Sequence, residues 1–218
     1  MKIGVLGTGT VGVNLASKLV EIGHQVKMGS RTPDNINAMS WAQKNGSNAS
    51  YGTFADAAAF GEIVFNCTSG EHSMEALKSA GEKNLEGKIL VDVANPIKFE
   101  NGELELLVSN TDSLGKQIQR AFPKAKVVKA LNTASTELQV NPSRLRGDHD
   151  LFICGNDDDA KSRVAKLLKH FGWKSVVDIG GIKASRGMEA LLLLWIHLSK
   201  KRPNELFNYK IIWEKEKS

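Results

Sequence analysis

The chain has 218 residues, 41% of them hydrophobic and 24% charged, with a formal net charge of +5 and a pI of about 9.1. That length fills one α/β domain with a small appendage, is too short for two full domains, and has a composition that excludes a disordered or fibrous chain. Lys and Arg are scattered over helix faces and loops, so the positive excess indicates a mild preference for anions and excludes a nucleic-acid partner.

The first apolar run, Ile3 to Leu6, predicts a short buried strand, and Gly7, Gly9 and Gly12 follow it in G-x-G-x-x-G spacing. In that pattern the first glycine makes the tight turn, the second lets the backbone approach a pyrophosphate, and the third lets helix and strand pack closely. Thr8, Thr10 and Val11 lie within the same turn, where free N–H groups and the helix dipole face the phosphates. The helix carries Val11, Leu15, Leu19 and Ile22 on one stripe and stops at Gly23. A second strand, Gln25 to Met28, then leads to Ser30 and Arg31. An NAD site requires an acid here for the ribose 2′-hydroxyl, whereas a guanidinium and a hydroxyl suit the 2′-phosphate of NADP, with Lys27 adding to the positive field.

Beyond this unit, Thr32-Pro33-Asp34 opens a helix, Glu62 to Cys67 is a strand, and Thr68-Ser69-Gly70 leads into a helix through Leu77. Lys88 to Val93 is a strand ended at Asn95-Pro96, and residues 97–112, with Asn101-Gly102, form an excursion of no readable shape. A helix bearing Leu114, Ile118 and Phe122 follows, then strands Lys126–Ala130 and Leu151–Cys154. Asp157, Asp158 and Asp159 read as the acidic start of a helix ended by Gly172, not as a metal site. Alternating strands and helices predict an α/β, Rossmann-type doubly wound, mostly parallel sheet, with residues 1–180 as the dinucleotide-binding domain and 181–218 as a small C-terminal helical appendage. The last helix, near Ala184 to Lys200, is apolar all round at Leu191–Ile196, which predicts a homodimer interface.

Residues just beyond the strand ends are the expected ligand contacts: Thr68 and Ser69, Ala94 and Asn95, Asn132 and Thr133. No acid–base constellation is found: neither Tyr51 nor Tyr209 has a Lys four residues on, and the five histidines show no metal-ligand spacing. His72 alone falls near the expected ligand. Cys67 and Cys154 sit in apolar runs without C-x-x-C spacing, which fits the reducing cytoplasm. The apolar run after Lys2 breaks at Gly7, too soon for a signal peptide, and Ala190–Leu198 is too short to span a membrane.

The segments GVLGTGTVG, GHQVKMGSR, AFPKAKVVKALNTAS, LFICGNDDDAKSRVAKLL, VDIGGIKASRGMEALLLLWIHL and NELFNYK together resemble the NADPH-dependent F420 reductase family over nearly the whole chain. The chain is also similar to the cytosolic reductase domain of six-transmembrane metalloreductases, whose acceptor is a flavin. The resemblance implies NADP contacts at Thr8 to Val11, Ser30, Arg31, Thr68, His72, the Ala94–Asn95 turn, Thr136 and Leu206. The archaeal deazaflavin enzymes carry His where this chain has Asn132, while the metalloreductase-like relatives carry Asn. This leaves coenzyme F420 and FMN or FAD both open as the second cofactor.

The expected activity is hydride transfer between NADP(H) and a second bound ring, a small-molecule electron acceptor. Such a transfer depends on proximity and orientation and needs no strong acid. Two alternatives stand beside it: an NADP(H)-binding sensor without turnover, and an imine reductase. The latter is disfavoured because only about 38 residues follow Gly180, too few for a helical substrate domain.

Overall fold

A computed structural model describes residues 1–100 and 103–214. The elements run β1 (Lys2–Leu6), α1 (Thr10–Glu21), β2 (Gln25–Ser30), α2 (Ile36–Asn45), β3 (Ala49–Thr53), α3 (Phe54–Phe60), β4 (Ile63–Asn66), α4 (Ser73–Ala80), α5 (Glu82–Leu85) and β5 (Ile89–Asp92). They continue with β6 (Ile97–Glu100), β7 (Glu103–Leu106), α6 (Leu114–Ala121), β8 (Lys126–Ala130), α7 (Thr136–Val140), β9 (Asp150–Gly155), α8 (Asp158–His170), β10 (Ser175–Asp178) and α9 (Ser185–Lys201).

Eight strands form one sheet in the order β10-β9-β8-β5-β4-β1-β2-β3. All neighbours are parallel except β8 and β9. The mostly parallel sheet with helices on both faces is the expected Rossmann-type architecture. The chain leaves β1 toward β2 and β3, then returns to the other side through β4, so the reversal opens a crevice at the carboxyl ends of β1 and β4. Strands β4 and β5 are buried at every residue because helices cover both faces. On one face α1 buries Leu15 and Leu19 completely. Each such leucine contributes about 1.5–3 kcal/mol relative to an exposed one. The other face is filled by Leu77, Leu114, Ile118 and Met188 among others.

Three local expectations change. Helix α2 does not open at Thr32-Pro33-Asp34: it starts at Ile36, capped by Asn35, whose Oδ1 accepts from the Ala38 N–H at 3.0 Å. β3 and α3 escaped the periodicity reading because β3 buries only Gly52 and α3 is a seven-residue alanine-rich helix. Its start is nonetheless marked by a capping box, Thr53 with Asp56. The 97–112 excursion contains an antiparallel pair, with Ile97 opposite Leu106; Asn101 and Gly102 lie outside the described residues.

Helix α9 turns Ser185, Met188, Glu189 and Leu192 inward and leaves Leu193, Leu194 and Leu198 exposed. The chain then folds back. Trp195 stacks on Phe207, with ring centroids 5.4 Å apart. Buried Asp150 accepts from the Ile211 N–H at 2.7 Å and Lys210 Nζ at 3.0 Å. Burial opposes the charge on Asp150, but these donors outweigh it and hold its carboxyl below the ordinary range. No helix among the described residues is long and apolar enough to cross a membrane.

Candidate functional site

The turn between β1 and α1 shows why its glycines differ. Gly7 has φ +119, and a Cβ there would lie 2.7 Å from the Cys67 carbonyl oxygen. At Gly12 a Cβ would lie 2.2 Å from the Gly7 oxygen. Both are demanded by the protein's own packing. Gly9 is not: nothing stands within 4 Å of its Cβ position, so the open space above it is left for something other than protein. Gly9 is also the N-cap of α1, which has no side-chain cap and no acid in its first turn. Helices α2, α3, α6, α7 and α8 are capped by side chains, whereas α4, α5 and α9 share the lack of a side-chain cap. The first-turn amides of α1 therefore face the opening with their partial positive charge uncompensated.

Beside this turn lies a pocket of about 250 Å³ lined by Thr8, Gly9, Ser30, Arg31, Thr68 and His72, among others. Arg31 is exposed and pairs with no carboxylate among the described residues. Ser30 is buried, and its hydroxyl donates to the Thr32 carbonyl at 2.5 Å. Its single proton is thus spent on the turn, and the free cation of the pair is Arg31. His72 is largely exposed, with Nε2 3.5 Å from Glu71 Oε1.

A larger crevice of about 1190 Å³ continues across the strand ends, lined by Thr10, Val11, Thr68, Ala94, Asn95, Asn132, Thr136 and Leu206. Cys67 and Thr68 line both spaces, which join them. The structure thus brings together the expected residues, with Gly12 buried beneath them, except Thr133, which is buried and lines neither space. Leu131, at φ +65, turns the chain sharply after β8. This left-handed conformation is strained for a leucine. Asn132 follows it, and its Nδ2 donates to Asn95 Oδ1 and to the Met188 carbonyl, both at 3.0 Å. Its Oδ1 is buried without a partner among the described residues.

The ionisable groups around the crevice are few. Glu137 pairs with Arg144 at 2.8 Å and Glu205 with Arg202 at 3.0 Å, all exposed. Burial pushes the Cys67 thiol up, and that of Cys154 up to about 12, so neither is a thiolate at neutral pH. The three aspartates from 157 onward serve α8: Asp157 Oδ1 accepts from the Ala160 N–H at 2.8 Å, and Asp158 pairs with Lys161 at 3.0 Å.

The sequence reading missed a buried ion network directly below the wall of the crevice. Lys129 of β8 is fully buried, 2.8 Å from Asp92 Oδ2 of β5 and 3.0 Å from Glu189 Oε1 of α9. Burial disfavours its ammonium, but the two carboxylates outweigh this and raise its pKa above the ordinary value. The available signal was one charged residue inside each of the apolar runs Val-Val-Lys-Ala and Leu-Val-Asp-Val.

A family profile described as NADP oxidoreductase, coenzyme F420-dependent, matches residues 2–96. The F420-dependent NADP reductase of Methanocaldococcus jannaschii is 30% identical over 214 residues, covering 92% of this chain and 93% of that protein. The chain belongs to the coenzyme F420-dependent NADP oxidoreductase family. This membership makes it an NADP-dependent oxidoreductase. A crystal structure from Arthrobacter sp. FB24, of a protein with a proposed F420-dependent NADP-reductase activity, superimposes with TM-score 0.92 and 47% identity, covering 98% of this chain and all of that one. Metalloreductase STEAP3 of Rattus norvegicus is 34% identical over 196 residues, 88% of this chain but only 36% of that protein. The chain therefore spans about a third of the length of this metalloreductase relative.

The family assignment and the contrast among the glycines give a direct test. Gly12→Ala is expected to lower the melting temperature by several degrees, as about 1–3 kcal/mol of overpacking would do. Gly9→Ala is expected to leave melting unchanged while abolishing dinucleotide binding, measured by calorimetry. Equal melting losses in both variants would contradict the assignment of open space above Gly9.

Proposed function

We propose that the protein binds NADP(H) across the two joined spaces and passes hydride between it and a second bound ring, coenzyme F420 or a flavin (FMN or FAD). The observation that carries this reading is the uncapped α1 N-terminus under open Gly9 beside Arg31, which follows β2 and meets no carboxylate among the described residues. The α1 amides, with Thr8, Thr10 and Val11 around them, hold the pyrophosphate, and Arg31 grips the 2′-phosphate with parallel charge-assisted bonds. Ser30 shapes the turn that presents Arg31. Thr68, Ala94, Asn95 and Asn132 border the nicotinamide, and the segment around Thr136 and Leu206 forms the opposite wall.

When bound, NADPH supplies the hydride and the second ring accepts it. The chain's residues orient the rings and exclude water. Orientation of this kind is worth about 7–11 kcal/mol at best, enough to explain neutral groups at the strand ends. We assign residues 1–180 to NADP binding and 181–218 to a helical segment through which two copies pair. The exposed leucines of α9 support the homodimer. The two free cysteines fit a cytoplasmic setting.

NADPH is expected to bind far more tightly than NADH, and Arg31→Asp should cost about 2–4 kcal/mol of NADPH affinity. Equal dissociation constants for the two cofactors in the wild type would overturn the NADP assignment.

For the acceptor, anaerobic mixing with NADPH deuterated at the transferred position should reduce either coenzyme F420 or a flavin. A deazaflavin carbon retains the label, whereas a flavin nitrogen loses it to water, so the product names the ring. Reduction of neither ring would remove the transfer mechanism and leave a sensor.

Leu194→Glu is expected to convert a dimer into a monomer or an aggregate. A wild type sedimenting as a monomer at micromolar concentration would refute the pairing.

A further inference from the structure

Three charges lie beneath the crevice wall without a role in the transfer described above. Lys129 Nζ donates to Asp92, to Glu189 and to the backbone carbonyl of Ala94. Asp92 Oδ1 accepts from the N–H of that same alanine at 3.3 Å and from Asn66 Nδ2 at 2.9 Å. Both polar groups of one crevice residue are thus held by the two members of one ion pair. Through Asn66 the network reaches Thr68, whose Oγ1 donates to Asn66 Oδ1 at 2.7 Å. Glu189 accepts from the N–H groups of Leu114 and Gly115 at 2.8 and 2.9 Å, which seats α9 on the start of α6. The adjacent Met188 carbonyl then accepts from Asn132.

Strand order places these residues relative to the dinucleotide. Arg31 follows β2 and Gly9 follows β1, while Thr68, Ala94 and Asn132 follow β4, β5 and β8, successive strands on the other side of the reversal. A dinucleotide with its 2′-phosphate over β2 and its pyrophosphate over β1 lays its nicotinamide half over those three strand ends.

We propose that Lys129 is a positioning residue for the nicotinamide half of the site, acting with Asp92 and Glu189 through the Ala94–Asn95 turn and Asn132. The inference rests on the NADP reading above. Packing alone does not call for charges at these positions, since apolar replacement of a buried ion cluster is often neutral or stabilising. Hydrogen bonds to both backbone polar groups of Ala94 are what apolar side chains do not supply. They matter where small displacements of a bound ring cost rate.

The test separates the two halves of the ligand. Lys129→Met/Asp92→Asn/Glu189→Gln removes all three charges at nearly constant volume, and Asp92→Asn alone is the milder variant should the triple one fail to fold. Binding of NADPH and of 2′-phospho-ADP-ribose, which lacks the nicotinamide, is measured by calorimetry, and the emission of bound NADPH reports the surroundings of its ring. The variants are expected to bind 2′-phospho-ADP-ribose within about two-fold of wild type, to bind NADPH about ten-fold more weakly, and to lose the emission change. Equal losses for both ligands, or no loss for either, would overturn the positioning role. If the wild type binds neither ligand, the NADP reading falls and this inference falls with it. A wild type that binds both, beside variants that behave identically to it, refutes the inference alone.

Discussion

The contact between the Lys129 ammonium and the carboxylates of Asp92 and Glu189 joins β5, β8 and α9 at one buried point. β5 and β8 supply one charge each, and the third comes from α9, which is held in turn by the first amides of α6. Removing water from three charges is costly, and the cost is met only while every partner is in place. The arrangement therefore works as a register mark. If α9 slid by one turn, Glu189 would leave the lysine, and α6 would lose the carboxylate at its N-terminus. The exposed leucines of α9 and the buried floor of the crevice are set by the same residue.

Against this closed network stands an open one at α1. Five helices close their first amides with a side chain; α1, like α4, α5 and α9, has no such cap, and it begins with a glycine that has nothing within 4 Å of its Cβ position. The difference separates polar groups satisfied within the fold from polar groups kept for a ligand. Ser30 and Arg31 repeat it at smaller scale: the serine proton is spent on Thr32, while the guanidinium beside it meets no carboxylate among the described residues.

The sheet, the glycine turn and the residues around the crevice were legible in the sequence because each rests on a local pattern. An apolar run of four to six residues, a fixed glycine spacing and the residue after a strand are all read from neighbours. What escaped lacked such a pattern. β3 exposes most of its surface, and α3 is too short for a helical period to emerge. The ion network is non-local: Asp92, Lys129 and Glu189 are far apart in sequence, and each alone looks like a charge interrupting an apolar run. The proline near the start of α2 misled for a related reason, since it marks the turn after β2 while Asn35 caps the helix.

The return of the chain after α9 gives the two ends of the crevice different histories. The end beside Gly9 and Arg31 is built on the first strand–helix–strand unit, with Thr68 and His72 added from the segment after β4. The far wall, around Leu206 and Phe207, is held by the stacking of Phe207 on Trp195 and by Asp150 gripping Lys210 and Ile211. Closing so long a loop costs more chain entropy than closing the short turns of the first unit. Under the two-ligand function proposed above, the two partners meet walls of different origin, one folded from a local unit and the other closed from a distance.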